Sequence, residues 1–181
     1  MSVNSTPNQI LSKSEVIYSP QQVSDAIYAL ARQITQDLHD QAPLVLTVMN
    51  GGLYFAGQLL PKLSFALEQD YVQATRYQGG LEGKEITWRT PPTDKIKDRV
   101  VLLLDDILDA GITLSAVRDE CLALGAAQVR VAVLTEKDLG HPKPIQADYV
   151  GLTVPNRYVF GCGMDVYGWW RNLPAIYALK E

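Results

Sequence analysis

Three aspartates fall at the end of the most apolar run in the chain: Val100-Val-Leu-Leu-Leu-Asp105-Asp106-Ile-Leu-Asp109. Ala110-Gly111-Ile112-Thr113-Leu-Ser115 follows, and apolar residues then recur at helical spacing. A buried strand that delivers acids into a glycine-bearing loop and then a helix suits phosphate chemistry. Ligands of open α/β sheets bind at the carboxyl ends of strands. There the N–H groups of a loop and a helix N-terminus cradle an anion. Gly111 permits close backbone approach, and Thr113 and Ser115 add hydroxyl donors. Asp105 and Asp106 cannot face phosphate directly, because like charges repel. They are suited to hold ribose hydroxyls or a divalent metal. An acidic helix cap accounts for one such Asp but not for three. Response regulators also pair acids at strand ends, with a different loop and element order. GxxxxGK followed by Ser or Thr is absent, as is GxGxxG, so P-loop NTPases and dinucleotide-binding folds fit poorly.

Flanking elements must position this segment. Ser19-Pro20-Gln21-Gln22 reads as a helix start: Ser19 caps, Pro20 suits the first turn, and Gln22 completes a capping box. Val23, Ile27, Leu30, Ile34 and Leu38 give one apolar face, and Ala42-Pro43 ends it. Leu44 to Val48 reads as a buried strand. Asn50-Gly51-Gly52 is a turn, Leu53 to Leu63 a second helix, and Asp70 to Tyr77 another strand. Gly79, Gly80 and Gly83 interrupt the pattern, and Ile86-Thr87-Trp88 is a candidate return strand before Pro91-Pro92. Residues 76–97 are therefore expected to form a flexible lid. Arg99 to Leu104 is the strongest buried strand, and a helix over Thr113 to Leu124 ends at Gly125. Val129 to Thr135 and Asp148 to Val154 are further strands, and Ala175 to Leu179 a short one in an irregular aromatic tail. This alternation predicts an α/β fold with a central, mainly parallel sheet flanked by helices. No repeat or linker divides residues 1–181, so one domain is expected, with residues 1–15 loose and residues 155–181 folded back as a tail.

Composition narrows the function. Hydrophobic residues make up 47% of the chain, too many for a disordered protein. The net charge of -4 and the pI of about 5.2, without a visible basic face, argue against nucleic acid as a partner. No apolar run is long enough to span a membrane. Met1 to Gln9 is polar and does not read as a signal peptide. Cys121 and Cys162 make neither a disulfide framework nor a zinc pattern, so a cytoplasmic protein with reduced thiols is expected. Cys121 falls on an apolar helix face and reads as core. His39 and His141 read as solvated, and Trp169-Trp170 as packing for the tail or a subunit contact.

The segment Val100 to Thr113 resembles the phosphoribosyl-diphosphate binding motif of type I phosphoribosyltransferases: a hydrophobic strand, two acids, two apolar residues, Asp, a small residue, Gly, a variable residue and Thr. From about Ile17 onward the chain is similar to the hypoxanthine-guanine branch of that family. The resemblance implies a small hood, built from the C-terminal segment and N-terminal residues, over the sheet. It implies purine salvage: Mg2+-dependent transfer of the phosphoribosyl group from 5-phosphoribosyl 1-diphosphate to hypoxanthine or guanine, giving IMP or GMP and pyrophosphate. The small-molecule substrates would be a purine base and phosphoribosyl diphosphate, and the protein a homodimer or homotetramer without a membrane partner.

Site roles follow from the same resemblance. Asp105 and Asp106 would hold the ribose hydroxyls, partly through Mg2+. Asp109, Ala110, Gly111, Ile112 and Thr113 would wrap the 5′-phosphate, with Asp109 near N7 of the purine as general base. Met49-Asn50-Gly51-Gly52 resembles the pyrophosphate loop, often built on a cis peptide. Lys137 would donate to the oxygen at purine C6, Tyr158 would stack on the base, and the backbone of Val159 would read its edge. Asp165 would bind a second Mg2+ or approach the diphosphate, and Arg171 would contact pyrophosphate. Tyr77 would fold over the site as lid. Three positions depart from the family pattern: Asp105 stands where Glu is frequent, Asn50 where Lys is common, and Arg76 where Ser is usual. Arg76 could add positive charge near the diphosphate. A sister transferase for xanthine, adenine or a pyrimidine stays open, as does a nucleic-acid-binding regulator that senses phosphoribosyl diphosphate.

Overall fold

Two helix starts in the chain use the same four-residue pattern. Ser19-Pro20-Gln21-Gln22 opens α2 (Pro20–Leu38), where the Ser19 hydroxyl accepts from the Gln22 amide and the Gln22 side chain accepts from the Ser19 amide. Thr6-Pro7-Asn8-Gln9 does the same for α1 (Pro7–Ser12). Each reciprocal box satisfies two amides that a helix N-terminus leaves without partners. In the computed structural model, which describes residues 6–76 and 86–180, the N-terminal segment is therefore not loose from Thr6 onward. Ile10 of α1 is buried and anchors it.

A six-stranded sheet forms the body, in the order β4-β3-β2-β5-β6-β7. Its strands are β2 (Leu44–Val48), β3 (Glu68–Arg76), β4 (Ile86–Thr90), β5 (Val100–Leu108), β6 (Gln128–Lys137) and β7 (Tyr149–Val154). All neighbours are parallel except β3 and β4. Alternate residues of β2 and β5 feed opposite faces, as strand geometry requires. Val45, Leu102 and Leu104 pack on α2 and on α3 (Gly52–Leu59). Leu44, Leu46, Val101 and Leu103 pack on α4 (Ile112–Ala123), where Cys121 is fully buried.

A second, three-stranded antiparallel sheet makes the hood. Its order is β1 (Ser14–Tyr18), β9 (Ile176–Leu179) and β8 (Val159–Phe160). N-terminal and C-terminal segments thus combine in one small layer, centred on Ile10, Phe160 and Val166. Trp170 joins it, donating from Nε1 to the Pro7 carbonyl at 2.9 Å, whereas Trp169 is exposed.

Two expected boundaries shift. β5 does not stop at Leu104 but pairs with β6 as far as Leu108↔Glu136. Asp105 and Asp106 therefore lie inside a strand, held by partners that a single segment cannot reveal. Part of the stretch 76–97 expected as a lid is regular or packed structure. β4 pairs with β3, and Pro92 and Ile96 are buried. Tyr77 and the glycines Gly79, Gly80 and Gly83 lie outside the described residues. Among the described residues, no helix is long and apolar enough to cross a membrane.

Candidate active site

Because β2, β5 and β6 lie side by side and parallel, their carboxyl ends open at one edge of the sheet. A cleft of about 520 Å³ sits there, walled by the ends of these strands, by β3 and β4, and by the segment from Tyr158 to Arg171. Asn50, Gly51, Asp105, Asp106, Asp109, Lys137, Tyr158, Val159, Asp165 and Arg171 all line it. These are ten of the residues singled out in the sequence, brought together from four separate stretches of chain.

The acids divide into two environments. Asp105 and Asp106 are both buried. The Asp106 amide donates to Asp105 Oδ1 at 2.9 Å, and the Thr135 hydroxyl donates to the Asp106 carbonyl at 2.9 Å. Burial, reinforced by the neighbouring carboxylate of Asp106, pushes the Asp105 carboxyl well above its usual range. Burial also raises Asp106, against the opposing pull of the Asp105 hydrogen bond and Arg171. Asp109 is half exposed and pairs with Lys137 Nζ at 2.9 Å. Lys137 itself is only 12% exposed, so its charge is directed at Asp109 and the cleft.

The turn after β2 lies directly against the buried pair. A cis peptide joins Met49 and Asn50. A Cβ on Gly51 would come within 2.3–2.7 Å of all three carboxyl atoms of Asp106. On the other side Gly163 closes the contact, since its Cβ would stand 2.2 Å from the Gly51 carbonyl oxygen. Arg171 binds this junction, donating from Nη1 to the Gly163 carbonyl at 2.6 Å while Nη2 pairs with Asp165 Oδ1. The second Asp165 oxygen accepts from the Gly168 amide at 2.7 Å. Asp165 is thereby engaged on both oxygens, and Arg171 Nη1 remains 3.9 Å from Asp106 Oδ2.

The loop before α4 runs from Asp109, at the cleft, into the helix start. Gly111 sits at the helix start with φ +78°, the left-handed region that favours glycine, and no side chain caps the helix. A helix start of this kind is where an anion can meet first-turn amides. Ala110, Gly111, Ile112 and Thr113 do not line the cleft itself; only Asp109 of that run does. Tyr158 forms the opposite wall. Its ring stacks on Tyr167 with centroids 6.3 Å apart and planes 24° apart, and burial raises its hydroxyl pKa.

Residues 14–167 match the phosphoribosyl transferase domain family. The chain belongs to that family. It is 34% identical over 168 residues to a hypoxanthine-guanine phosphoribosyltransferase of Streptococcus pneumoniae, covering 92% of this chain and 93% of the relative. It is 33% identical over 167 residues to a hypoxanthine-guanine-xanthine phosphoribosyltransferase of Tritrichomonas foetus, covering 92% and 91%. A crystal structure of a hypoxanthine phosphoribosyltransferase from Staphylococcus aureus superposes with a TM-score of 0.87 at 26% identity, covering 99% of this chain and 97% of the other.

Sequence reasoning missed two cations of this phosphoribosyl transferase. Arg89 lines the cleft from β4. The β3–β4 register steps from Gln73↔Thr90 to Ala74↔Trp88, so Arg89 is the bulged residue and its side chain is re-aimed. No sequence signal marks such a bulge. Lys143 donates to the carbonyls of Leu108 and Lys137, beside two cleft residues, and its position depends on a loop path that periodicity cannot show. For Arg76, the described structure covers the backbone at the end of β3 only.

Proposed function

We propose that this protein is a purine salvage phosphoribosyltransferase. It transfers the phosphoribosyl group of 5-phosphoribosyl 1-diphosphate to a 6-oxopurine, hypoxanthine and/or guanine, and releases pyrophosphate. The convergence of the buried Asp105–Asp106 pair, the Asp109–Lys137 ion pair and Arg171 on one cleft carries this reading. Asp105 and Asp106 hold the ribose hydroxyls, where their charge also favours a sugar that turns positive in the transition state. The first-turn amides of α4, with Thr113, take the 5′-phosphate. Asn50, Gly51 and Arg171 face the diphosphate. Asp109 accepts the purine N7 proton. Lys137 donates to the oxygen at C6, Tyr158 stacks on the ring, and Val159 reads its edge.

Mg2+ fits the acid pair. Among the described residues no three His, Cys, Asp or Glu side chains converge as a metal cage. Mg2+ does not need one, since it keeps waters and takes one or two carboxylates together with substrate phosphates. Asp105 and Asp106 supply such a pair, and their burial beside one another is relieved by a cation. When bound, Mg2+ neutralises charge on the diphosphate. Asp165 belongs to a second metal position only through the resemblance, because Arg171 and Gly168 hold it here. A cytoplasmic homodimer or homotetramer completes the reading. Leu53 and Tyr71 expose large apolar side chains that a second copy would cover. Sedimentation equilibrium measures this, and a 20.0 kDa species alone would remove it.

A spectrophotometric assay with phosphoribosyl diphosphate, Mg2+ and each of hypoxanthine, guanine, xanthine and adenine tests the function. Turnover with a 6-oxopurine is expected, and none with any base would end the reading. Lys137→Met is expected to lower selectivity for hypoxanthine over adenine by about 10–100-fold, since an unmatched buried donor or acceptor costs roughly 1–3 kcal/mol. The ratio of the two kcat/KM values reads this out, and an unchanged ratio would remove Lys137 from base recognition.

Arg89 supplies the positive charge that Asn50 does not bring to the turn after β2. No ion pair or hydrogen bond of Arg89 is seen among the described residues, and it lines the same cleft as Asn50 and Gln73. Arg89→Gln is expected to raise the KM for phosphoribosyl diphosphate by about 5–20-fold, less than a fully buried charge-assisted bond would give. The KM for the base should move little. Equal KM values for phosphoribosyl diphosphate in both proteins would show that Arg89 does not touch it.

A further inference from the structure

Lys143 lies in the connection between β6 and β7, outside the cleft wall, with its side chain only 7% exposed. An ammonium has three protons. All three find acceptors: the Lys137 carbonyl at 2.7 Å, the Leu108 carbonyl at 3.0 Å and Glu136 Oε1 at 3.0 Å. Leu108 immediately precedes Asp109, and Lys137 is the ion-pair partner of Asp109. Leu108↔Glu136 is also the last register pair of the β5–β6 ladder. Beyond that pair, the ladder no longer fixes the two strand ends, and Lys143 ties them instead.

The residues after Lys143 brace the anion cradle as well. A Cβ on Gly111 would stand 3.0 Å from Ile145 Cγ2 and 3.5 Å from Pro144 Cδ. One short segment thus supports the loop that carries Asp109 from two sides. A buried cation loses its hydration, so a side chain of similar length and no charge would sit there at lower cost if packing were its only role.

We infer that Lys143 is a positioning residue. It sets the distance and orientation between Asp109 and Lys137, and through them proton acceptance from the purine and recognition of its C6 substituent. Lys143 touches no substrate. This inference rests on the proposed transferase reaction.

Lys143→Met tests it, with Lys143→Gln as the variant that keeps two N–H donors and decides the matter if the first does not fold. Both are expected to lower kcat for hypoxanthine, Lys143→Met by about 10–100-fold, since misplacement of a reacting group by 1 Å costs about that much. The KM for phosphoribosyl diphosphate should stay within about 3-fold, because Asn50, Gly51 and Arg171 are untouched and the contacts at Gly111 come from Pro144 and Ile145 rather than from Lys143. A double-mutant cycle with Asp109→Asn separates positioning from general structural loss. If Lys143 acts through Asp109, adding Lys143→Met to Asp109→Asn costs far less than it costs the wild type. Additive losses, or a folded variant with kcat within about 3-fold of wild type, would overturn the assignment. Wild-type protein without transferase activity would instead remove the underlying reaction, so the two failures are distinguishable.

Discussion

Asp109→Asn is expected to lower kcat by about 10²–10⁴-fold, the usual contribution of a positioned general base. The change is nearly isosteric. Asparagine keeps an oxygen that can accept from Lys137 Nζ, which sits at 2.9 Å from Asp109 Oδ2, so the cleft wall should hold its shape. What is lost is the capacity to take a proton. On the proposed reading, binding of phosphoribosyl diphosphate rests mainly on other groups, namely the acid pair, the turn after β2, Arg171 and the first-turn amides of α4, and asparagine keeps the shape of the Asp109 side chain beside them. Its dissociation constant should therefore stay within about 3-fold, and the loss should fall on kcat rather than KM, as for an interaction made only in the transition state. Steady-state kinetics with hypoxanthine, together with direct titration of phosphoribosyl diphosphate, measure both quantities. A variant with kcat within about 3-fold of wild type would return the proton to another group or to water.

The contrast between the two carboxylate environments gives that prediction its force. Asp105 and Asp106 share a buried site where ionisation of both is opposed. On the proposed reading a cation and sugar hydroxyls meet this pair and relieve that opposition. Asp109 is half exposed and faces a cation at hydrogen-bond distance. One aspartate-rich strand end thus offers two carboxylate environments, set apart by burial and by their charged neighbours.

Much of this was legible in the chain. The run of apolar residues into Asp105 and Asp106 marks a buried strand, because few other arrangements bury five consecutive apolar residues before two acids. The Ser19 capping box gave the start of α2 at Pro20, and the apolar stripe gave its buried face, whereas the helix ends at Leu38, before the expected stop at Ala42-Pro43. Thr6-Pro7-Asn8-Gln9 carries the same box, yet a polar terminus reads as loose because the hood that buries Ile10 comes from the far end of the chain. Strand ends were the weak point. β5 continues to Leu108 because β6 offers ladder partners, and that information lies in another segment. Arg89 and Lys143 were invisible for the same reason. A bulge and a loop path decide where their charges go, and neither leaves a local pattern.

Gly163→Ala is expected to destabilise the protein by about 3–5 kcal/mol, combining strained backbone with overpacking. Gly163 has φ +106°, a conformation that L side chains rarely adopt. A methyl group there would stand 2.2 Å from the Gly51 carbonyl oxygen and 3.1 Å from Asp106 Cβ. Neither neighbour is the free end of a flexible side chain, so backbone must move. The residue also links hood to site: its carbonyl accepts from Arg171 Nη1 at 2.6 Å and its amide donates to the Arg171 carbonyl at 2.9 Å. At about 2–4 °C per kcal/mol for a chain of this size, the melting temperature should fall by roughly 10 °C. Activity should fall further than unfolding explains, because the shift parts Arg171 and the turn after β2 from the Asp106 carboxylate. Assayed well below its melting temperature, the variant is expected to lose at least about 10-fold in kcat/KM for phosphoribosyl diphosphate, as misplaced binding groups do. Gly57→Ala is the matched control, since a Cβ there meets nothing within 4 Å. If Gly163→Ala melts like Gly57→Ala, the close approach of hood and turn is not what holds this side of the cleft together.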